Sequence, residues 1–255
     1  MWRCHTRFAD RPASPDLLGF RRLAFAGAAL ALVGAGCGSA DSTATSTSAT
    51  AGTSEQVEVA ALGDSITSGS PGYDPDPTAR AALGFSDDRE SQFEYWAEKA
   101  NPRFSFRNCG VFGERTDEIA QRLDECIADG ADVLIVQGGI NDIAQGRPVA
   151  DAADDLRSMV QLGKEAGPDV AITDVLPWNN GHPIADEPIA ELNELIAGIA
   201  RDEDVPLIGF HDELEDPGAR GLMAPGLTAD GDHPSVEGYR LLGELVASEL
   251  ERLTG

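Results

Sequence analysis

The chain has 255 residues, 42% of them apolar, and a formal net charge of −25. That length allows one domain of moderate size or two small ones, with enough apolar material for a sizeable core. So acidic an exterior repels nucleic acid and anionic lipid headgroups, which excludes both as natural partners and reads most simply as a solvated surface.

Residues 1–37 read as an export signal rather than as structure. Arg21-Arg22 precede the apolar, small-residue run Leu23 to Gly36, which is too short to span a bilayer comfortably. The polar stretch ahead of the paired arginines points to the twin-arginine route, although the aromatic residue expected after the pair is displaced to Phe25. Cys37 follows Gly34-Ala35-Gly36, and the segment resembles a bacterial lipoprotein signal. That resemblance implies that Cys37 receives a lipid, with Gly34 departing from the leucine the pattern prefers. The expected location is therefore outside the cytoplasm, on the outer face of the cell membrane through the Cys37 anchor or secreted. Residues 38–55 are rich in Ser, Thr, Ala and Gly without periodicity, and cannot bury enough surface to fold. Such a tether reaches about 24 Å.

From Gln56 onward strand and helix signals alternate, as in a parallel sheet covered by helices on both faces. Strands are expected over Gln56–Leu62, Arg103–Cys109, Asp132–Gln137, Asp169–Val175 and Pro206–Phe210. Helices are expected over Ser91–Ala100, Thr116–Ala128, Val149–Ala166, Pro188–Asp202 and Ser235–Arg252. In the last helix Val236, Tyr239, Leu242, Val246 and Leu250 recur at helical spacing as an inward face. The stretch from Ser70 to Glu90, with three prolines and several acids, reads as a long loop walling one side of a cleft. No second linker interrupts the run, so residues 56–255 form one α/β domain. Cys109 and Cys126 are expected to remain buried free thiols. A continuous helix from Thr116 would carry Cys126 about 15 Å from its start, whereas a disulfide needs Cα atoms within roughly 7 Å.

Ligands of such sheets sit beyond the carboxyl ends of the strands. The polar clusters of the sequence fall there in turn: Gly63-Asp64-Ser65, then Gly110, then Gly139-Ile140-Asn141-Asp142, then the run from Pro177 to His182, and last Asp230-Gly231-Asp232-His233. A serine hydroxyl needs a base and an orienting carboxylate to become a nucleophile, and donors for the oxyanion it creates. The histidines beyond the leader are His182, His211 and His233. His233 has Asp230 three residues earlier and Pro234 after it, which keeps the ring in a loop with one nitrogen facing an acid. Asp232 is a competitor made less natural by its adjacency. His211 reads as structural, and His182 as a surface loop residue or a substrate contact. Gly110 can bring a backbone amide close, Ser65 offers its own, and Asn141 supplies an uncharged NH2 group. Trp178 reads either as an aromatic wall for substrate or as packing under its own loop. Gly-x-Ser-x-Gly is absent because Thr67 occupies its last position, and neither a His-Glu-x-x-His nor a Cys-x-x-Cys pattern occurs.

These blocks, in this order from Gln56 to Arg252, resemble those of the SGNH (GDSL-type) hydrolases. The resemblance implies a flavodoxin-like three-layer fold with a five-stranded parallel sheet in the order 2-1-3-4-5. It implies ester hydrolysis with Ser65 as nucleophile, His233 as base and Asp230 as its acid partner. Ser65, Gly110 and Asn141 would form the oxyanion hole, with no metal or cofactor. The missing long apolar lid favours short acyl or acetyl esters. A lysophospholipase or thioesterase, and a non-catalytic carbohydrate- or lipid-binding lipoprotein, are the rival readings.

Overall fold

A computed structural model describes residues 56–73, 77–83 and 89–255. The export signal, Cys37 and the tether over 38–55 lie outside the described residues. In chain order the elements are β1 (Val57–Gly63), α1 (Ser65–Ser68), α2 (Pro77–Leu83), α3 (Phe93–Ala100) and β2 (Phe104–Gly110). There follow α4 (Thr116–Ile119), α5 (Leu123–Ile127), β3 (Val133–Val136), α6 (Ile140–Ala144), α7 (Val149–Ala166) and β4 (Asp169–Thr173). The chain closes with α8 (Asp186–Glu203), β5 (Leu207–Ile208), α9 (Phe210–Leu214), β6 (Glu215–Asp216), β7 (Ala219–Met223) and α10 (Val236–Thr254).

The main sheet is parallel and runs β2-β1-β3-β4-β5. This is the expected order, and its physical basis is alternation. Along β3, Val133 and Ile135 face one core while Leu134 and Val136 face the other, all fully buried. A strand covered on both sides must be apolar along its buried length, which is why β3 reads as an unbroken apolar run and β1 as one from Val59 to Leu62, after the exposed Glu58. The α7 and α8 side chains Leu156, Met159, Leu192 and Ile196 fill one face; Phe93 of α3 with Tyr239, Leu242 and Val246 of α10 fill the other. Val236, expected to face inward, is 45% exposed because it is the first residue of α10 and stands at the rim.

Several segments depart from expectation, the short helices α1 and α6 and the two-residue β5 among them. The stretch after Ser70 carries a helical turn, α2, and a 3-10 turn at Arg89–Ser91. After β5 the chain forms α9 and the antiparallel β6–β7 hairpin, neither of them anticipated. The helix expected over Thr116–Ala128 is broken: α4 passes into a 3-10 turn at Ala120–Arg122 and then into α5. The break turns α5 back toward the sheet. As a result Cys109 and Cys126 are joined by a disulfide with Cα atoms 5.9 Å apart, and the free-thiol expectation fails because it assumed a straight helix. The bridge spans 17 residues, so its loss should cost about 3 kcal/mol by constraint of the unfolded chain. Urea unfolding of Cys109→Ser/Cys126→Ser beside the oxidised protein checks this, and equal midpoints would contradict it.

Candidate active site

The carboxyl end of β1 is held by hydrogen bonds around a nearly buried serine hydroxyl. Asp64 caps α1, its Oδ1 accepting the Ile66 N–H at 2.9 Å. Gln137, just past β3, accepts from the Asp64 N–H at 3.1 Å and the Thr67 hydroxyl at 2.9 Å. Between these anchors lies Ser65, whose Oγ is 3.1 Å from His233 Nε2. His233 Nδ1 is in turn 2.9 Å from Asp230 Oδ2. The other Asp230 oxygen accepts the backbone N–H groups of Asp232 and His233, at 2.9 and 2.8 Å. Spacing of three residues thus works because the loop curls around one carboxylate.

The competitor Asp232 faces elsewhere: its Oδ1 accepts from Trp178 Nε1 at 2.5 Å and from Asn180 Nδ2 at 2.8 Å. Asn180 also reaches the Asp230 carbonyl at 3.1 Å. Trp178 therefore braces the loop that carries His233, and its ring packs so closely on Gly181 that a Cβ there would lie 2.2 Å from Cε3. The packing alternative accounts for these contacts. His182 pairs with the Asp186 carboxylate, Nδ1 at 2.9 Å, in the first turn of α8. His211 lies in the first turn of α9, its N–H donating to Asp174 Oδ1 at 2.8 Å.

One expected donor, the Gly110 amide, needs revision. Gly110 N–H donates to Asn108 Oδ1 at 2.9 Å, so it is engaged locally and is not a free donor. Glycine is required there by close approach: a Cβ would lie 2.1 Å from the Ser68 nitrogen of α1. Gly113, three residues on, has φ +79° and an N–H that meets no acceptor among the described residues. It is flanked by Phe112, whose ring centroid lies 6.0 Å from that of His233, and by Glu114, whose carbonyl accepts from Asn141 Nδ2 at 2.9 Å. Asn141 Nδ2 is also 3.4 Å from Asp64 Oδ2, a contact long enough to hold its second proton only weakly, so the amide spans the nucleophile turn and the Gly113 loop and keeps one proton to offer. The Ser65 N–H likewise has no acceptor among the described residues. The second glycine in Gly110-Val111-Phe112-Gly113 was the available signal for a free amide in this loop.

Buried carboxyls surround the turn. Burial pushes Asp64 up to about 6, against hydrogen bonds from Ile66 and Gln137 and the nearby His233 that lower it. Asp230 differs: burial would raise it, but hydrogen bonds from the His233 ring and the Asp232 and His233 amides outweigh that and hold it below the usual carboxylate range. Glu94 is held well above its ordinary value by burial, while its Oε1 accepts from Asn108 Nδ2 at 2.9 Å. A raised carboxyl pKa favours folding most below its unfolded value of 3.8 and loses that contribution as pH rises through about 6. Asp64→Asn keeps an acceptor for Ile66 without a titrating proton. Its stability relative to the native chain should therefore improve by about 3 kcal/mol between those limits. Chemical unfolding across that range measures it, and a pH-independent difference would contradict it.

A separate cavity of about 480 Å³ lies between α8, α9 and the β6–β7 hairpin and contains none of Ser65, Asp230 or His233. On its wall His211, Asp212 and Glu215 bring potential metal-ligand atoms within 4.8 Å of one another, away from the carboxylates beside His233.

Fold and site together place the chain among doubly wound α/β proteins with an imidazole-paired serine at the carboxyl end of the first strand. The chain belongs to the GDSL-like lipase/acylhydrolase family, whose model matches residues 61–241. Solved structures of similar fold include a member of the lipolytic protein G-D-S-L family from Veillonella parvula DSM 2008, 20% identical, covering 76% of this chain and 98% of that one, with a TM-score of 0.62. The lipase/acylhydrolase from Enterococcus faecalis is 21% identical, covering 78% and 97%, with a TM-score of 0.62. A mutant acetyl-xylooligosaccharide esterase from Geobacillus Stearmophilus is 18% identical, covering 77% and 94%, with a TM-score of 0.60. A comparison with curated proteins finds no match.

Proposed function

We propose that this protein is an extracytoplasmic serine esterase that hydrolyses short-acyl or acetyl esters through an acyl-enzyme intermediate. The observation that carries the reading is the continuous chain Ser65 Oγ, His233, Asp230, at 3.1 and 2.9 Å. His233 Nε2 takes the Ser65 proton as Oγ bonds to the ester carbonyl carbon, and Asp230 holds the Nδ1 proton and stabilises the imidazolium. The carbonyl oxygen becomes an oxyanion facing the Ser65 and Gly113 amides and Asn141. The imidazolium then protonates the departing alcohol as the carbon–oxygen bond breaks. Water, deprotonated by the same imidazole, attacks the acyl-serine and releases the acid. No metal or cofactor takes part in these steps.

Export follows from the leader over 1–37, with Cys37 as the lipid attachment point. The likeness to an acetyl-xylooligosaccharide esterase supports a short acyl group, carried on a sugar. One feature favours the lysophospholipase or thioesterase alternative: Val111 and Phe112, 40% and 51% exposed, put apolar surface beside His233. A non-catalytic binder has no need of the Ser65–His233–Asp230 chain. Turnover of acetyl against palmitoyl nitrophenyl esters by the purified protein decides between the enzymes. The acetyl ester should be turned over faster, and faster turnover of the palmitoyl ester would overturn the short-acyl assignment.

A further inference from the structure

Arg122 ends the 3-10 turn between α4 and α5, and its guanidinium gathers three separate parts of the rim. Nη1 donates to the Cys109 carbonyl at 2.6 Å and Nη2 to the Gly63 carbonyl at 3.0 Å. Nε and Nη2 both donate to Glu114 Oε2, at 2.8 and 2.5 Å. The first two acceptors are the ends of β2 and β1, and Gly63 lies two residues before Ser65. The third is the side chain whose main-chain carbonyl receives Asn141 at 2.9 Å and whose preceding residue is Gly113. The Gly63 carbonyl also accepts the Val111 N–H at 3.0 Å, so both ends of the loop over residues 111–114 are referred to the nucleophile strand.

Strand-end carbonyls and a partly exposed carboxylate can be satisfied by water at a rim. A planar fork of five donors does what water cannot, because it fixes the three acceptors relative to one another. We infer that Arg122, acting through Glu114, is a positioning residue that sets the oxyanion donors Gly113 and Asn141 against Ser65. The inference rests on the serine-esterase reading. It assigns Arg122 no contact with substrate.

A double-mutant cycle on nitrophenyl acetate hydrolysis by the full chain tests it. Asn141→Ala should lower kcat about 10²- to 10³-fold. Arg122→Ala should lower kcat about 10- to 100-fold, the scale of a donor misplaced by around an ångström, while KM changes less than about twofold. In the Asn141→Ala background the same Arg122→Ala change should cost clearly less than in the native chain, about three- to tenfold at most, because only one of the two donors it positions, Gly113, remains. Arg122→Lys, which keeps the charge but not the fork, should resemble Arg122→Ala, and millimolar guanidinium should restore part of the rate to Arg122→Ala but not to Arg122→Lys. Equal rate factors in the two backgrounds, or a lysine variant with native kcat, would overturn the inference. If Arg122→Ala does not fold, Arg122→Lys and Glu114→Gln carry the same cycle. Fluorophosphonate labelling separates the two levels: a native protein that labels at Ser65 while the cycle is additive refutes only the Arg122 role. A native protein that does not label refutes the serine reading and this inference with it.

Discussion

Ser65→Ala should lower kcat for acetyl esters by about 10⁵- to 10⁶-fold and leave KM little changed, measured on nitrophenyl acetate with purified protein. The expectation rests on how little else the site offers. His233 can still activate water, but that water is not held at 3.1 Å from Nε2 as the hydroxyl is. What remains is stabilisation by the proposed oxyanion donors, the Gly113, Asn141 and Ser65-position amides, which would bind a developing oxyanion whichever nucleophile makes it. His233→Ala should cost a similar factor, and combining the two should cost little more, because the pair acts as a unit. A Ser65→Ala protein within about tenfold of the native rate would mean that another group performs the attack.

Asp230→Asn should cost about 10⁴-fold in kcat with the fold intact. The carboxylate has one oxygen on His233 Nδ1 and the other on two backbone amides. An asparagine must still accept those amides with its oxygen, so its NH2 group turns toward Nδ1. That forces the ring proton onto Nε2, where the base must be empty. Asp232 cannot take over, since its oxygen is bound to Trp178 and Asn180. Steady-state rates together with melting curves measure the prediction; a loss below about tenfold would remove Asp230 from the reaction. The depressed pKa of Asp230 adds a sign. Its contribution to folding is complete above the ordinary carboxylate range and is lost as pH falls through its lower folded value.

Much of this architecture was legible in the order of apolar runs. The strands β1 and β3 bury both faces, so their composition announced them, and the polar clusters that follow each strand marked one rim of the sheet. The spacing of Asp230 and His233 was legible for the same reason, since a three-residue loop before a helix brings the two side chains together. Elements stabilised by tertiary contact were not. The β6 residues Glu215 and Asp216 carry no apolar signal, and only the Pro217-Gly218 turn hinted at a hairpin. The Cys109–Cys126 bridge depends on a bend at Ala120–Arg122, within a stretch whose composition suits a straight helix.

The proposed oxyanion donors show the limit most clearly. Gly110 and Gly113 are both glycines past the end of a strand, and sequence does not say which amide is free. The answer depends on Asn108, which occupies the Gly110 amide, and on α1, which leaves no room for a side chain at position 110. Arg122 was invisible for a related reason. Two of its three partners are main-chain carbonyls, which no residue pattern records.

The most direct measurement is mass spectrometry of peptides from the protein treated with a fluorophosphonate. The account predicts a single phosphonyl adduct on the peptide containing Ser65, absent in Ser65→Ala and formed far more slowly in His233→Ala. An adduct on another residue, or a native chain that stays unmodified while it hydrolyses acetyl esters, would contradict it.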